Sequence, residues 1–281
     1  MNFDKITETV ARFYEELPFN YFGSTEEAVN NIKKQNAIAF YKNLDDLIRN
    51  ENINNIIDFG CGGGWFANSA AYYYGANVKA IDITTKAITQ AKAVARCLDL
   101  SRQVVYQHSD IFSFSDNKKY DLVNSIGVLH HTYDCKKAFF KISQYVLKDK
   151  YIHVGLYNYY GRKPFLEGFK KIVREKGEGA ALDYFLRINP QLKDKTHGLS
   201  WFRDQVFHPH ETQHTLQEIC GWLKAAGFDL LSTSINQFKP YNSLEDLFML
   251  EKSFESFSYQ RNFVEKKFYP GFTSILAQKI S

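Results

Sequence analysis

Apolar residues in this chain follow helical spacing near the amino terminus and then a strand–helix alternation. Phe3, Ile6, Val10, Phe13, Tyr14 and Leu17 recur at helical intervals, and the run stops at Pro18. Phe19 to Gly23 reads as an aromatic turn. A second helical stretch carries Ile32, Ala37, Phe40, Tyr41, Leu44, Leu47 and Ile48 on its apolar side. Residues 1–50 are therefore expected to form a helical cap ahead of the first strand.

From Ile53 the rhythm changes. Ile53 to Phe59 is a short apolar run ending in glycines, as in a buried parallel strand. The pattern then predicts a helix over 64–74, a strand over 78–83, a helix over 84–98 and strands over 103–107 and 120–126. A helix over 134–147 and a strand over 151–157 follow. Such alternation specifies a parallel sheet covered on both faces, because each crossover between parallel strands needs its helix. The expected fold is α/β, a doubly wound, Rossmann-like, mostly parallel sheet, in one domain over residues 51–281. The last third breaks the rhythm with an insertion over 162–210, a helix over 215–226 and closing strands over 228–235 and 272–280. A second insertion, rich in Phe and Tyr, lies over 236–270. The two insertions are expected to act as a lid.

Composition narrows the class without naming a function. Hydrophobic residues are 44% and charged residues 23%, ordinary for a globular protein, and a net charge of +4 does not call for nucleic acid as partner. Aromatic residues reach 16%, which leaves room for a ring-lined pocket beside the core. Cys61, Cys97, Cys135 and Cys220 form no CxxC pair, so neither a zinc knuckle nor a disulfide framework is expected. No metal is expected, and a reducing, cytoplasmic setting is. Asp4, Glu8, Arg12, Glu15 and Glu16 interrupt the first segment, unlike a secretory signal, and no run approaches the roughly 20 apolar residues of a membrane span.

The candidate chemistry begins at Asp58-Phe59-Gly60-Cys61-Gly62-Gly63-Gly64, a glycine-rich turn that lets a ligand approach the backbone. Read from Gly60 the dinucleotide pattern fails at Trp65, whereas Gly62-x-Gly64-x-x-Ala67 satisfies its looser form. The turn alone does not choose between cofactors. Asp82 ends the second strand about 20 residues on, where a carboxylate accepts hydrogen bonds from ribose hydroxyls. His108-Ser109-Asp110 follows the third strand. Tyr120-Asp121-Leu122-Val123 and Gly127-Val128-Leu129-His130-His131 span the fourth and its exit.

With these segments the chain resembles the class I S-adenosylmethionine-dependent methyltransferases, in the small-molecule branch that includes the ubiquinone and menaquinone C-methyltransferases. The resemblance covers roughly residues 53–157 and returns at 214–228. It implies that Asp58, Gly60, Cys61, Gly62 and Gly64 line the methionine and ribose portions of S-adenosyl-L-methionine. Asp82, with Ile83 beside it, would hold the ribose. Asp110 would accept from the adenine amino group, with Ile111 against the ring. Ser125, Gly127 and His130 would sit under the sulfonium. Two alternatives stand beside these roles: Asp58 as a support for the loop, and Asp110 as the cap of a following turn.

Methyl transfer from a sulfonium chiefly requires alignment, and a hydroxyl or protonated amine acceptor also requires a base. His130 is placed nearest the cofactor and His131 in a structural role, with packing alone as the alternative for both. His208 and His210 are further candidates for the base, in a pocket-forming segment with Trp201, Arg203, Asp204 and Gln205. His210-Glu211-x-x-His214 spells a zinc-protease motif. Thr215 followed by Glu218 starts the helix too late to give those histidines one-turn geometry. Arg162 to Lys176 is a basic stretch with Phe165, Leu166, Phe169, Ile172 and Val173 on one side, readable as a lid helix or a membrane-surface helix.

The expected function is methylation of an oxygen or nitrogen of a small-molecule metabolite, within natural-product or sugar biosynthesis. Methylation of nucleic acid or protein and nicotinamide-dependent oxidation are the alternatives. Strand four ends Asn124-Ser125-Ile126-Gly127, without the Asn/Asp-Pro-Pro-aromatic motif of base amino methylation. Neither nucleic acid nor a stable membrane association is expected as partner.

Overall fold

In the computed structural model, residues 3–192 and 194–280 are described. Three helices come first: α1 (Phe3–Glu16), α2 (Thr25–Lys34) and α3 (Lys42–Asn50), with a 3-10 turn, Ala37–Phe40, before the last. Ser24 starts α2 by accepting a hydrogen bond from the Glu27 N–H, and Pro18 follows the end of α1 as the sequence predicts.

The strands are β1 (Asn55–Phe59), β2 (Asn77–Asp82), β3 (Val104–His108), β4 (Tyr120–Ile126), β5 (Val146–Tyr157), β6 (Phe228–Thr233) and β7 (Phe272–Lys279). They form one seven-stranded sheet in the order β3-β2-β1-β4-β5-β7-β6. The first five run parallel, and β7 lies antiparallel to both β5 and β6. The strand order reverses beside β1, so β1 and β4 flank the crevice where open α/β sheets take ligands. The doubly wound, mostly parallel architecture read from the alternation is present. The interior strands are buried on both faces, which is why they read as continuous apolar runs.

Helices α4 (Trp65–Tyr74) and α5 (Thr85–Cys97) share one face of the sheet with α2, α3 and the 3-10 turn between them, whose Ile32, Ile38, Leu44 and Ile48 join the same buried cluster as Ile56, Ala80 and Leu122. Each such side chain contributes roughly 1.5–3 kcal/mol on full burial, so the amino-terminal helices are held by the domain core. Helix α6 (Cys135–Ser143) packs on the opposite face with Phe139 and Ile142. It ends four residues earlier than the apolar spacing predicts. Val146 already pairs with Tyr120, and Asp149, at φ 62, bends the chain before Tyr151 pairs with Leu122.

The insertions are helical. The first holds α7 (Tyr159–Ile188), broken at Gly177, and α8 (Lys195–Val206). After α9 (Leu216–Ala225), which joins α6 on the sheet, the second insertion holds α10 (Leu244–Lys252) and α11 (Phe254–Tyr259). The insertions bury each other. Phe165, Phe169 and Phe185 of α7 and Phe202 of α8 form a third core, on which Phe263 and Phe268 pack. The apolar side of the 162–176 stretch is thus covered by protein. Arg162, the first residue of that stretch, is completely buried. Among the described residues no helix is long and apolar enough to cross a membrane.

Candidate functional site

The turn after β1 is shaped by glycines with left-handed backbone. Gly60 (φ 72), Gly62 (φ 50) and Gly64 (φ 80) supply three left-handed steps within five residues, while the N–H groups of Gly60 and Cys61 both donate to the Ile81 carbonyl. A side chain at Gly60 would strike Val128, but one at Gly62 would meet only open space. Gly62 therefore forms a ridge between two cavities.

The first cavity, about 140 Å³, is lined by Gly60, Gly62, Asp82, Ile83, Asp110, Ile111, Gly127 and Val128, with His131 and Thr132 at one end. Its roof is α1 and the turn after it, through Thr7, Val10, Tyr14, Pro18 and Phe19. The second, about 190 Å³, is lined by Asp58, Gly60, Cys61, Gly62, Asn124 and Gln90, and by the rings of Phe19, Phe22, Tyr41, Trp65 and Phe66. Gly60, Gly62, Phe19 and Ile126 belong to both walls, so the cavities meet over the ridge. Neither insertion contributes a lining residue among those described, and the covering role expected of them falls to the amino-terminal helix.

The three carboxylates stand at consecutive strand ends. Asp82 at the end of β2 accepts from the Gly62 N–H at 2.8 Å and from the Thr84 N–H and hydroxyl at 2.9 and 2.8 Å. Burial raises its pKa, opposed by those bonds. Asp110, after β3, uses Oδ2 to accept from the N–H groups of Phe112 and Ser113, the capping geometry weighed as an alternative, and also lines the first cavity. Asp58 is buried. Its Oδ1 accepts from the Asn124 amide at 2.7 Å, and its Oδ2 has no partner among the described residues. Burial, with Asp82 nearby, pushes its pKa up to about 7 against the pull of Asn124. Ser125, expected under the sulfonium, is fully buried and donates to the Phe59 carbonyl at 3.1 Å, so it braces β1 against β4.

The paired histidines divide differently from the expectation. They lie in a 3-10 turn, Leu129–His131, whose tight pitch turns successive side chains apart. His130 is wholly buried behind the cavity, its ring 4.1 Å from that of Tyr157, with Nδ1 accepting from the Tyr157 N–H. His131 lines the first cavity. Its Nδ1 donates to the His210 carbonyl at 2.9 Å, which leaves the lone pair on Nε2. Burial holds both imidazoles below their usual pKa, and Asp204 opposes that at His131.

Residues 208–214 are stitched along this turn. The Thr212 N–H donates to the His130 carbonyl and the His214 N–H to that of Tyr157. His208 stacks on His131 at 3.6 Å, and His210 Nε2 donates to the Thr132 carbonyl. His210 and His214 do not share a helix, and His214 instead contacts Thr212 and Glu218, so the HExxH spelling builds no metal geometry. His131, Asp204 and His208 do bring ligand atoms within 4.8 Å of one another. The two rings stack 31° apart, and one nitrogen of each is engaged with His210: His131 Nδ1 donates to its carbonyl and His208 Nδ1 accepts from its N–H. Asp204 is held in turn by the Tyr14 hydroxyl and the Gln205 amide. Behind the trio, buried Arg162 binds Glu211 through two nitrogens at 2.7 and 3.0 Å, and its guanidinium lies 3.7 Å over the Tyr157 ring.

Sequence reasoning missed Tyr14, whose hydroxyl donates to Asp204 at 2.6 Å and links the roof helix to α8. It also missed Asn124, Gln90 and the aromatic walls Phe22, Tyr41 and Trp65. The aromatic turn after Pro18 was the one visible signal of them.

The geometry can be set beside known proteins. A solved structure of magnesium protoporphyrin IX methyltransferase from Synechocystis PCC 6803, with bound SAM, has a TM-score of 0.54 at 14% identity, covering 98% of this chain and 97% of that one. The plantazolicin methyltransferase BpumL, with a triazolic desmethylPZN analog and SAH, has a TM-score of 0.53 at 15% identity, covering 99% and 98%. These likenesses establish the fold, that of class I methyltransferases. An uncharacterized protein from Synechococcus sp. is 22% identical over 200 residues, 64% of this chain and 48% of that protein, so the match spans about half of that relative's length. A family model described as a methyltransferase domain matches residues 50–218, more than half of the chain. The chain belongs to the methyltransferase-domain family.

Proposed function

We propose that the protein transfers the methyl group of S-adenosyl-L-methionine to an oxygen or nitrogen of a small-molecule metabolite. The observation that carries this reading is the row of Asp58, Asp82 and Asp110 at successive strand ends, facing two cavities joined over Gly62. The residues suit that cofactor. The unpartnered Asp58 Oδ2 offers a buried acceptor to the methionine portion, and the bare ridge at Gly62 leaves room for the cofactor to cross. Asp82 and Ile83 would hold the ribose, with Asp110 and Ile111 at the adenine. Gly60, Cys61, Gly64 and Gly127 would complete the cradle.

The bound cofactor supplies an electrophilic methyl on a sulfonium. Alignment and proton removal fall to the chain. His131 is the proposed base, in place of His130. Its Nδ1–H is fixed on the His210 carbonyl, its Nε2 is free to accept, and its ring meets the first cavity. Asp204 lies close enough to favour the charge that His131 gains. His208 stacks on that ring, and His210 orients it through its backbone. Tyr14 and the rest of α1 exclude water from above. A roof of this kind supports a small acceptor over nucleic acid or protein. The cytoplasmic setting expected from the cysteine pattern belongs to the same proposal.

Thermal shift tests the cofactor directly, because a ligand that binds only the folded state raises its stability. S-adenosylhomocysteine should raise the melting temperature and NAD(H) should not. A shift with NAD(H) alone refutes the reading.

A further inference from the structure

Four buried polar side chains form a line across the sheet, running from β7 to β1 beside the second cavity. Ser274 Oγ lies 2.7 Å from His153 Nε2, His153 Nδ1 lies 2.8 Å from Asn124 Oδ1, and Asn124 Nδ2 lies 2.7 Å from Asp58 Oδ1. All four are at most 2% exposed. With the Asn124 amide nitrogen turned toward Asp58, donor rules fix the other directions. The Asn124 amide nitrogen can only donate, so Asp58 Oδ1 accepts. The amide oxygen can only accept, so His153 carries its proton on Nδ1, and Nε2 takes the hydrogen bond of the Ser274 hydroxyl.

Resting on the cofactor reading above, we propose that His153, acting through Asn124, is a positioning residue that keeps Asp58 an acceptor with its second oxygen free for the cationic part of the cofactor. The chain has one weak joint. An amide is nearly symmetric in shape, and without the His153 donor Asn124 can turn over and present its oxygen to Asp58. Two facing oxygens repel unless Asp58 keeps its proton and donates, and a protonated Asp58 is a poor partner for an ammonium group.

The surroundings leave that choice to the amide. Asp82 faces Asp58 from β2, Cys61 from the glycine turn and Tyr106 from β3, and no cation is among these groups. Burial raises the Cys61 and Tyr106 pKa values, so both are neutral, and drives His153 down to about 3, so it stays neutral as well. Tyr41 presents its ring at 4.8 Å from His153 and stays neutral, pushed up to about 12 by burial. Asp58 itself lies near about 7, where a modest change in its hydrogen bond moves it across neutrality.

Calorimetric titration of S-adenosylhomocysteine between pH 5.5 and 9 tests this on the whole protein, compared with His153→Phe, His153→Gln and Ser274→Ala. Wild-type affinity should weaken about tenfold per pH unit below about 7 and level off above it. In His153→Phe the break should move up by about one pH unit, with about fivefold weaker binding at neutrality and about tenfold well below it. His153→Gln, whose amide can donate to Asn124, should restore the wild-type profile. Ser274→Ala cuts the far end without emptying the core and should shift the break the same way by less, which keeps the test alive if His153→Phe does not fold. Wild-type protein that binds with the same break as the folded variants overturns the relay alone. Wild-type protein that binds nothing at any pH overturns the cofactor reading and the relay with it.

Discussion

At the scale of single residues, what separates His130 from His131 is a turn of tight pitch, and the separation has kinetic consequences. His131→Asn, whose amide nitrogen can keep the bond to the His210 carbonyl, should lower kcat by about 10²–10⁴ with whichever acceptor screening yields, while the S-adenosylhomocysteine Kd changes less than about threefold. A base works unprotonated, so activity is full above its pKa and falls as pH drops through it. Because burial lowers His131, the acid limb of kcat should lie below pH 6.5. A larger loss from His208→Asn, with His131→Asn near wild type, would move the role to His208. The pair was legible in the sequence as a polar doublet after an apolar strand. Which member meets the cavity was not, because neighbours in a 3-10 turn diverge and the deciding partner, the His210 carbonyl, is 79 residues away.

At the scale of elements, the strands and crossover helices were readable because a strand buried on both faces leaves an unbroken apolar run and a covering helix leaves a periodic one. Amphipathicity tells which side of a helix is covered and not what covers it. Hence α1 read as a cap and is the cavity roof, while the 162–210 insertion read as a lid and packs on the second insertion through Phe165, Phe169, Phe263 and Phe268. Phe169, fully buried in that third core, separates the two arrangements. Phe169→Ala should cost about 3–5 kcal/mol in a denaturant melt. The folded fraction should still bind S-adenosylhomocysteine within about twofold of wild type. A tenfold loss of affinity without loss of stability would return this insertion to the site.

At the scale of the whole molecule, the cofactor reading and the fold make opposite demands on Asp58. Its carboxyl titrates near 3.8 in the unfolded chain and near about 7 in the fold, so between these values the native state holds the extra proton. Stability then falls as pH rises through that window: the penalty is absent below pH 3.8, grows to pH 7 and is constant above. Its ceiling, from a shift of about three units, is about 4 kcal/mol. Asp58→Asn removes the titration but leaves a buried amide N–H₂ where Oδ2 had no partner, which costs about 1–3 kcal/mol at every pH. The melting temperature of the variant, relative to wild type, should therefore climb between pH 4 and 7 and run parallel above. S-adenosylhomocysteine should at the same time lose its stabilising effect on the variant, since the free acceptor oxygen is gone. A melting difference that does not change with pH would mean that Asp58 is ionised in the empty protein throughout. The carboxylate would then be a structural brace for Asn124, and the weight of cofactor recognition would fall on Asp82 and Asp110.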